Sequence, residues 1–253
     1  AVKILMPDAV LIGFTGTPLL HTDKKTSIEI FGSYIHTYKF DEGIQDGIIL
    51  GLLYEARNVE QYITKPAAID QEFERRTENL TERGKMLLKK RWATVSKLYS
   101  SRERLERIAA DIMMDMNTKP RLVSGEGNAI LAAGSVFEAC RYWEIFKANG
   151  FDKCAVITSF DATSPNEDAY KRKIYARMLG GKRQSDFETE AKKKFIKNPS
   201  EMKLLIVVDK LLTGFDAPSA TYLYIDKSMR DHDLFQAICR VNRPDGNDKD
   251  YGY

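Results

Sequence analysis

Six residues have types and spacings that could do chemistry. Asp209, Gly214 and Asp216 lie in LIVVDKLLTGFDAPSA (205–220), and Gln236, Arg240 and Arg243 lie in QAICRVNR (236–243). The first stretch opens as an apolar run and then puts two carboxylates, a glycine and Pro218 into an irregular turn. In the second, residues four and seven apart share a helix face, so Gln236, Arg240 and Arg243 are expected to project the same way. Two arginines held beside two carboxylates suit a polyphosphate: guanidinium forks pair with phosphate oxygens, while Asp216 accepts hydrogen bonds from a ribose or fixes an arginine. Each residue also has a plain structural use. Gly and Pro punctuate loops, Asp209 suits a turn, and Arg243 suits the negative end of a helix dipole.

The elements that must position these residues follow a regular pattern from Gly127 onward. NAILAAG (128–134) reads as a buried strand, and Ser135 with Glu138 three residues on is a helix-start signature that Gly150 closes. KCAVITSF (153–160) is a second strand, Ser185 to Asn198 a helix, MKLLIVVD (202–209) a third strand and DHDLFQAICRVNR (231–243) a last helix. This alternation predicts an α/β fold, a parallel sheet with helices on both faces. All strand ends of such a sheet reach one edge. Thr15, Gly16 and Thr17, then Ser135, Thr158 and Ser159, then the Asp209 to Asp216 turn are therefore expected to line ligand-binding edges. Thr158 and Ser159 equally suit local hydrogen bonding at a strand end.

Upstream, Ala9 to Phe14 is read as a buried parallel strand, and Ser33 to Phe40 and Ile48 to Glu55 as two more strands around a turn or short helix with Gly43 and Gly47. Between about Ala67 and Asn117, apolar residues at helical spacing predict a helical segment broken near Ser101 into at least two helices. Its Lys89, Lys90 and Arg91 are read as a solvated face rather than a DNA contact.

Composition narrows the class. With 253 residues, 43% hydrophobic and 30% charged, the chain reads as globular, and its formal charge of +3 argues neither for nor against nucleic acid. Cys140, Cys154 and Cys239 form no CxxC pair, and His21, His36 and His232 have no metal-ligand spacing, so neither a disulfide scaffold nor a metal site is expected. No apolar run reaches the roughly 20 residues that cross a bilayer, and the reading is cytoplasmic, with no membrane partner.

In order, FTGTP, the strand with its Ser135 helix, VVDKLLTGFDAP and QAICRVNR resemble motifs III, IV, V and VI of superfamily 2 helicases and translocases. The internal spacings match: an acid, a glycine five residues on and a second acid seven on, then a Gln followed by Arg at four and seven. FGSYIHTY, DGIILGLLYEAR, TGFDAP and QAICRVNRP are similar to the motor (R) subunit of type I restriction enzymes, over nearly the whole chain.

The resemblance implies a RecA-like α/β fold. Residues 1–31 would be the C-terminal remnant of a first RecA-like domain, and 32–253 a second one with a helical insertion at about 67–118. Thr15, Gly16 and Thr17 would couple nucleotide state to DNA grip. Asp209, Gly214 and Asp216 would meet the nucleotide, Arg240 and Arg243 would be arginine fingers oriented by Gln236, and Ser135, Thr158 and Ser159 would hold DNA phosphates. ATP and Mg²⁺ would be bound mainly by the first domain, because the chain shows no GxxxxGK[ST] loop, no upstream acidic metal motif and no nuclease carboxylate cluster. The chain alone is therefore expected to hydrolyse no ATP. Implied partners are double-stranded DNA and the modification and specificity subunits of a type I complex. The alternative is a DNA-binding or helicase module of another superfamily 2 repair or remodelling protein. Thr213 stands where relatives often carry an Arg, and Lys210 and Cys239 have no functional reading.

Overall fold

The computed structural model describes residues 9–14, 31–57, 78, 81–163 and 168–253, without the side chains of 82–83 and 87–101. Its elements run α1 (Phe40–Gln45), β1 (Gly51–Leu52), α2 (Glu82–Thr118), α3 (Pro120–Ser124), β2 (Asn128–Ala133), α4 (Val136–Ala148) and β3 (Cys154–Ile157). They continue with α5 (Ala169–Leu179), α6 (Gln184–Lys197), β4 (Leu204–Val207), β5 (Ala220–Asp226), α7 (Asp231–Ile238) and β6 (Tyr251–Gly252).

Four strands form a wholly parallel sheet in the order β3-β4-β2-β5. Apart from Asn128 in β2 and Thr221 and Asp226 in β5, their residues are apolar or tyrosine, because both faces are covered. Ala129, Leu131 and Ala133 pack with Leu105, Ile112, Tyr142, Phe146 and Ile174 from α2, α4 and α5. Ile130 and Ala132 pack with Phe195, Leu212, Ala237 and Val241 from α6, α7 and their flanks. Alternate residues of one strand thus serve two separate cores, as the period of two requires. β1 and β6 pair in parallel, and Tyr253 exchanges backbone bonds with Thr221 and Leu223 at 2.9 and 2.7 Å. That contact carries the sheet beyond its β5 edge.

The expected helices are present, with corrections. α2 runs unbroken from its cap, where Thr81 Oγ1 accepts from the Gly84 N–H at 3.3 Å, through Ser101 to Thr118. Ser101 does not divide it: serine starts a helix only when its own backbone is extended, and here it continues the helical ladder. The helix α5, opened by Asp168 and ended by Gly180 at φ +55, and the strand β5 were not anticipated.

The N-terminal expectations fare worse. Ala9–Phe14 is not a strand; Val10, Ile12 and Phe14 are exposed, and no described neighbour offers the backbone partners a buried strand needs. Ser33–Lys39 is irregular and Phe40 opens α1, where the Lys39 N–H meets the Glu42 carboxylate at 2.5 Å. Of the run from Ile48 to Glu55, Gly51 and Leu52 alone are strand. Gly43 lets this region close up, since a Cβ there would meet Ile49 Cγ1 at 3.1 Å.

Candidate functional site

The carboxyl edge of the sheet collects the ends of β3, β4, β2 and β5, and with them Ser159, Asp209, Ser135 and Asp226 in that lateral order. The chain leaves β4 on one side of β2 and enters β5 on the other, so the strand order switches around β2. Crevices at such points are where α/β sheets bind ligands. Thr15, Gly16 and Thr17 lie outside the described residues.

Ser135 caps α4 with extended backbone, and its Oγ accepts from the Glu138 N–H at 3.2 Å. Glu138 Oε2 is buried beside Gly134 with no hydrogen-bond partner. Thr158 is buried: its hydroxyl lies 2.6 Å from the Tyr175 hydroxyl and accepts from the Phe160 N–H at 3.1 Å. Its side chain therefore faces the core, and Ser159 is the exposed member of the pair.

The loop from Val208 to Ser219 is pinned at both ends and open in the middle. At its start Lys210 Nζ donates to Glu188 Oε2 at 2.6 Å and to the Thr158 carbonyl at 3.3 Å. Asp209 pairs with Lys227 at 2.6 Å. At the far end Ser219 Oγ donates to the Phe195 carbonyl at 3.1 Å, and Lys249 Nζ donates to the Pro218 and Ala220 carbonyls. Between these pins Thr213, Gly214 and Asp216 are exposed. Gly214 sits at φ +70 with open space where a Cβ would go, so it serves backbone conformation and not a close approach within this chain. Leu211, at φ 73, takes the left-handed region without glycine's freedom, a strain of roughly 1–3 kcal/mol that buried Leu212 beside it helps to hold.

The shared helix face expected for Gln236, Arg240 and Arg243 is not what brings them together. α7 ends at Ile238, and Arg240 and Val241 close tight turns onto the Ala237 and Ile238 carbonyls. Gln236 Nε2 lies 2.8 Å from His232 Nε2. Arg240 donates to the Gln236 carbonyl at 3.1 Å and the Phe215 carbonyl at 3.0 Å, and Arg243 forms a 3.2 Å ion pair with Asp216. Burial, and then the charge of Arg243, pull the Arg240 guanidinium below its ordinary pKa. Two like charges are thus held next to each other on the loop that carries Asp216, and the Arg243 and Asp216 side chains are 40% and 64% exposed. An anion entering there would relieve the arginine repulsion.

A cleft of about 830 Å³ is lined by Asp209, Thr213, Lys227, Arg230, Asp231 and His232 among others, and its lining does not include Asp216, Arg240 or Arg243. At its wall Lys227 Nζ donates to Asp209 and to the Val208 carbonyl at 3.0 Å. Sequence reasoning missed Lys227 together with β5, although the aromatic and β-branched run TYLYID just before it is a strand signal. Among the described residues no group of three His, Cys, Asp or Glu could hold a metal ion, and no helix is long and apolar enough to cross a membrane.

A family model described as type I restriction enzyme subunit R domain 3 matches residues 125–253, and one described as SWI2/SNF2 ATPase matches residues 1–86. The chain is 31% identical over 241 residues to a Methanocaldococcus jannaschii protein named type I restriction enzyme MjaIXP endonuclease subunit, covering 94% of this chain and 22% of that protein. It is 27% identical over 245 residues to the type I restriction enzyme HindI endonuclease subunit of Haemophilus influenzae, again covering 94% and 22%. The chain thus spans about a fifth of the length of these relatives. A fragment of an HsdR subunit of a type I restriction enzyme from Vibrio vulnificus YJ016 shares the fold, with a TM-score of 0.59 at 18% identity over 96% of this chain and 38% of that one.

Proposed function

Because this chain belongs to the type I restriction enzyme subunit R domain 3 family, we propose that it forms the second RecA-like domain of an ATP-dependent, DNA-translocating restriction subunit. In this reading 1–31 closes a first RecA-like domain, 32–253 is the second, and the helical insertion lies at about 67–118. The observation that carries it is the meeting of two separate stretches: Arg240 on the Phe215 carbonyl and Arg243 on the Asp216 carboxylate.

Arg243 is the reaching finger. Half-exposed and held by an exposed carboxylate, it can exchange Asp216 for a phosphate oxygen and stabilise charge that develops during transfer to water. Arg240, tied to two carbonyls, keeps the loop and the finger in register while adding positive charge. Gln236 orients the turn through its own carbonyl. Asp209 and Gly214 shape the nucleotide-facing loop, and Thr15, Gly16 and Thr17 supply the coupling loop. Ser135 and Ser159 meet DNA phosphates through hydroxyl and N–H groups, a contact indifferent to sequence, while Thr158 sets the strand end from inside. Mg²⁺, which would neutralise phosphate charge, is assigned to no residue of this chain. The partners that follow are duplex DNA and modification and specificity subunits, in the cytoplasm.

The test is DNA-stimulated ATP hydrolysis by the full-length protein. Arg243→Ala and Arg240→Ala are expected to lower turnover by on the order of 10³-fold with DNA binding retained. Unchanged hydrolysis would make the arginine turn scaffold. The purified 253-residue chain is expected to show no turnover of its own, and measurable hydrolysis by it would overturn that part of the reading.

A further inference from the structure

The long helix α2 is joined to β5 by charge at two places. Asp115 accepts from the Tyr224 hydroxyl at 2.8 Å and pairs with Arg57 at 2.9 Å. Eleven residues earlier, Arg104 grips Asp226 with both terminal nitrogens, Nη2 meeting Oδ2 at 3.0 Å. The Tyr142 hydroxyl donates to the same Oδ2 at 2.5 Å. The Arg104 and Asp226 side chains are 21% and 11% exposed, so the pair is largely out of water and geometrically demanding.

Asp226 is the last residue of β5, and the next residue is Lys227, the cation that binds the Val208 carbonyl and the Asp209 carboxylate at the wall of the cleft. Immediately after Arg104, Leu105 enters the core, followed by Ala109, Ile112 and Met116. A shift of α2 along its axis must therefore carry Asp226 with it or break the double hydrogen bond. The buried Glu138 Oε2 has no hydrogen-bond partner, and the Glu138 charge bears on both Arg104 and Tyr142.

We propose that Arg104 is a positioning residue that couples the long helix to the cleft at the sheet's carboxyl edge, acting through Asp226 and Lys227. It sets where Lys227 stands, and through the Lys227 to Asp209 pair it sets the start of the loop that carries Asp216. This goes beyond the motor reading by giving the helical insertion a task at the site.

Amide hydrogen exchange on the full-length protein tests it, comparing wild type with Arg104→Met and Arg104→Lys. A positioning role predicts exchange faster by about tenfold in 208–214 and 227–231 for Arg104→Met, with the β2 amides 129–132 within about twofold, and an intermediate effect for Arg104→Lys. An equal rise in β2 would reduce Arg104 to a stability contact, and unchanged exchange at the cleft would break the proposed link; either overturns the inference. Should Arg104→Met fail to fold, Tyr142→Phe removes one bond to Asp226 while keeping the ring in the core, and the same two segments are expected to respond. The measurement needs no ATP turnover, so its failure is distinct from failure of the motor reading.

Discussion

Lys249 has 3% of its surface exposed and gives its ammonium to the Pro218 and Ala220 carbonyls at 2.6 and 2.8 Å. Burial, reinforced by the positive charge of Arg121, lowers its pKa from 10.5 to about 8. Between those values the unfolded chain holds a proton that the folded chain has lost, so this group makes stability rise with pH across that window. Other groups act the opposite way: burial pushes the Cys140 and Cys154 thiols up to about 12 from 9.0, and their contribution falls above pH 9. The difference between wild type and Lys249→Met isolates the lysine. Thermal unfolding from pH 8 to 10.5 is expected to show wild type gaining stability relative to the variant; parallel profiles would count against a depressed lysine. Nothing in the polar run PDGNDKDYGY marks Lys249 as buried, because its partners are carbonyls some thirty residues earlier in the chain. Asp216 and Arg243 were legible, since their types and order within a strand-loop and a helix-turn are local features. Lys227 was not, because its role depends on β5 lying across β2 from the β4 loop.

At the scale of elements, α2 is the test of continuity. A helix of 37 residues reaches about 55 Å and has no internal Pro to break it. With Ser101 inside the helix, Ser101→Ala is expected to change stability by no more than about 0.5 kcal/mol, whereas loss of a helix cap there would cost about 1 kcal/mol. Chemical denaturation of the two proteins decides between them. The buried stripe of the same helix should be less forgiving: Ile112→Ala, at 1% exposure beneath the sheet, is expected to cost about 2–5 kcal/mol. A strand of four residues, such as β3 or β4, was readable from its apolar run and from the turn residues after it. The end of α7 was not, because QAICRVNR keeps helical spacing through Arg243. The chain instead turns at Cys239, where Arg240 finds the Phe215 carbonyl.

Across the whole molecule, the segment from Leu50 to Leu53 and the C-terminal tyrosines lengthen the sheet at its β5 edge. Leu50 N–H donates to the Asn242 carbonyl at 2.6 Å, just before Arg243, and Tyr253 stacks on Tyr222 at 5.0 Å. The arginine turn is thus buttressed from the far end of the sequence. Gly252 makes this possible, since a Cβ there would lie 2.6 Å from the Val241 carbonyl oxygen. Gly252→Ala is expected to push β6 away and cost about 1–3 kcal/mol, read as a lowered denaturation midpoint with faster exchange at 241–243.

Period, punctuation and residue type were enough to determine the α/β class and the strands β2, β3 and β4. These are properties of a few consecutive positions, and local sterics and burial dictate them. What only the tertiary structure decided is which of those residues meet. Thr158 turns inward because Tyr175 waits for its hydroxyl. Ala9–Phe14 forms no strand because a strand is made by its neighbours. Arg240 and Arg243 reach Phe215 and Asp216 through a turn and not a helix face. Each depends on a partner far away in sequence, and no spacing along the chain encodes that distance.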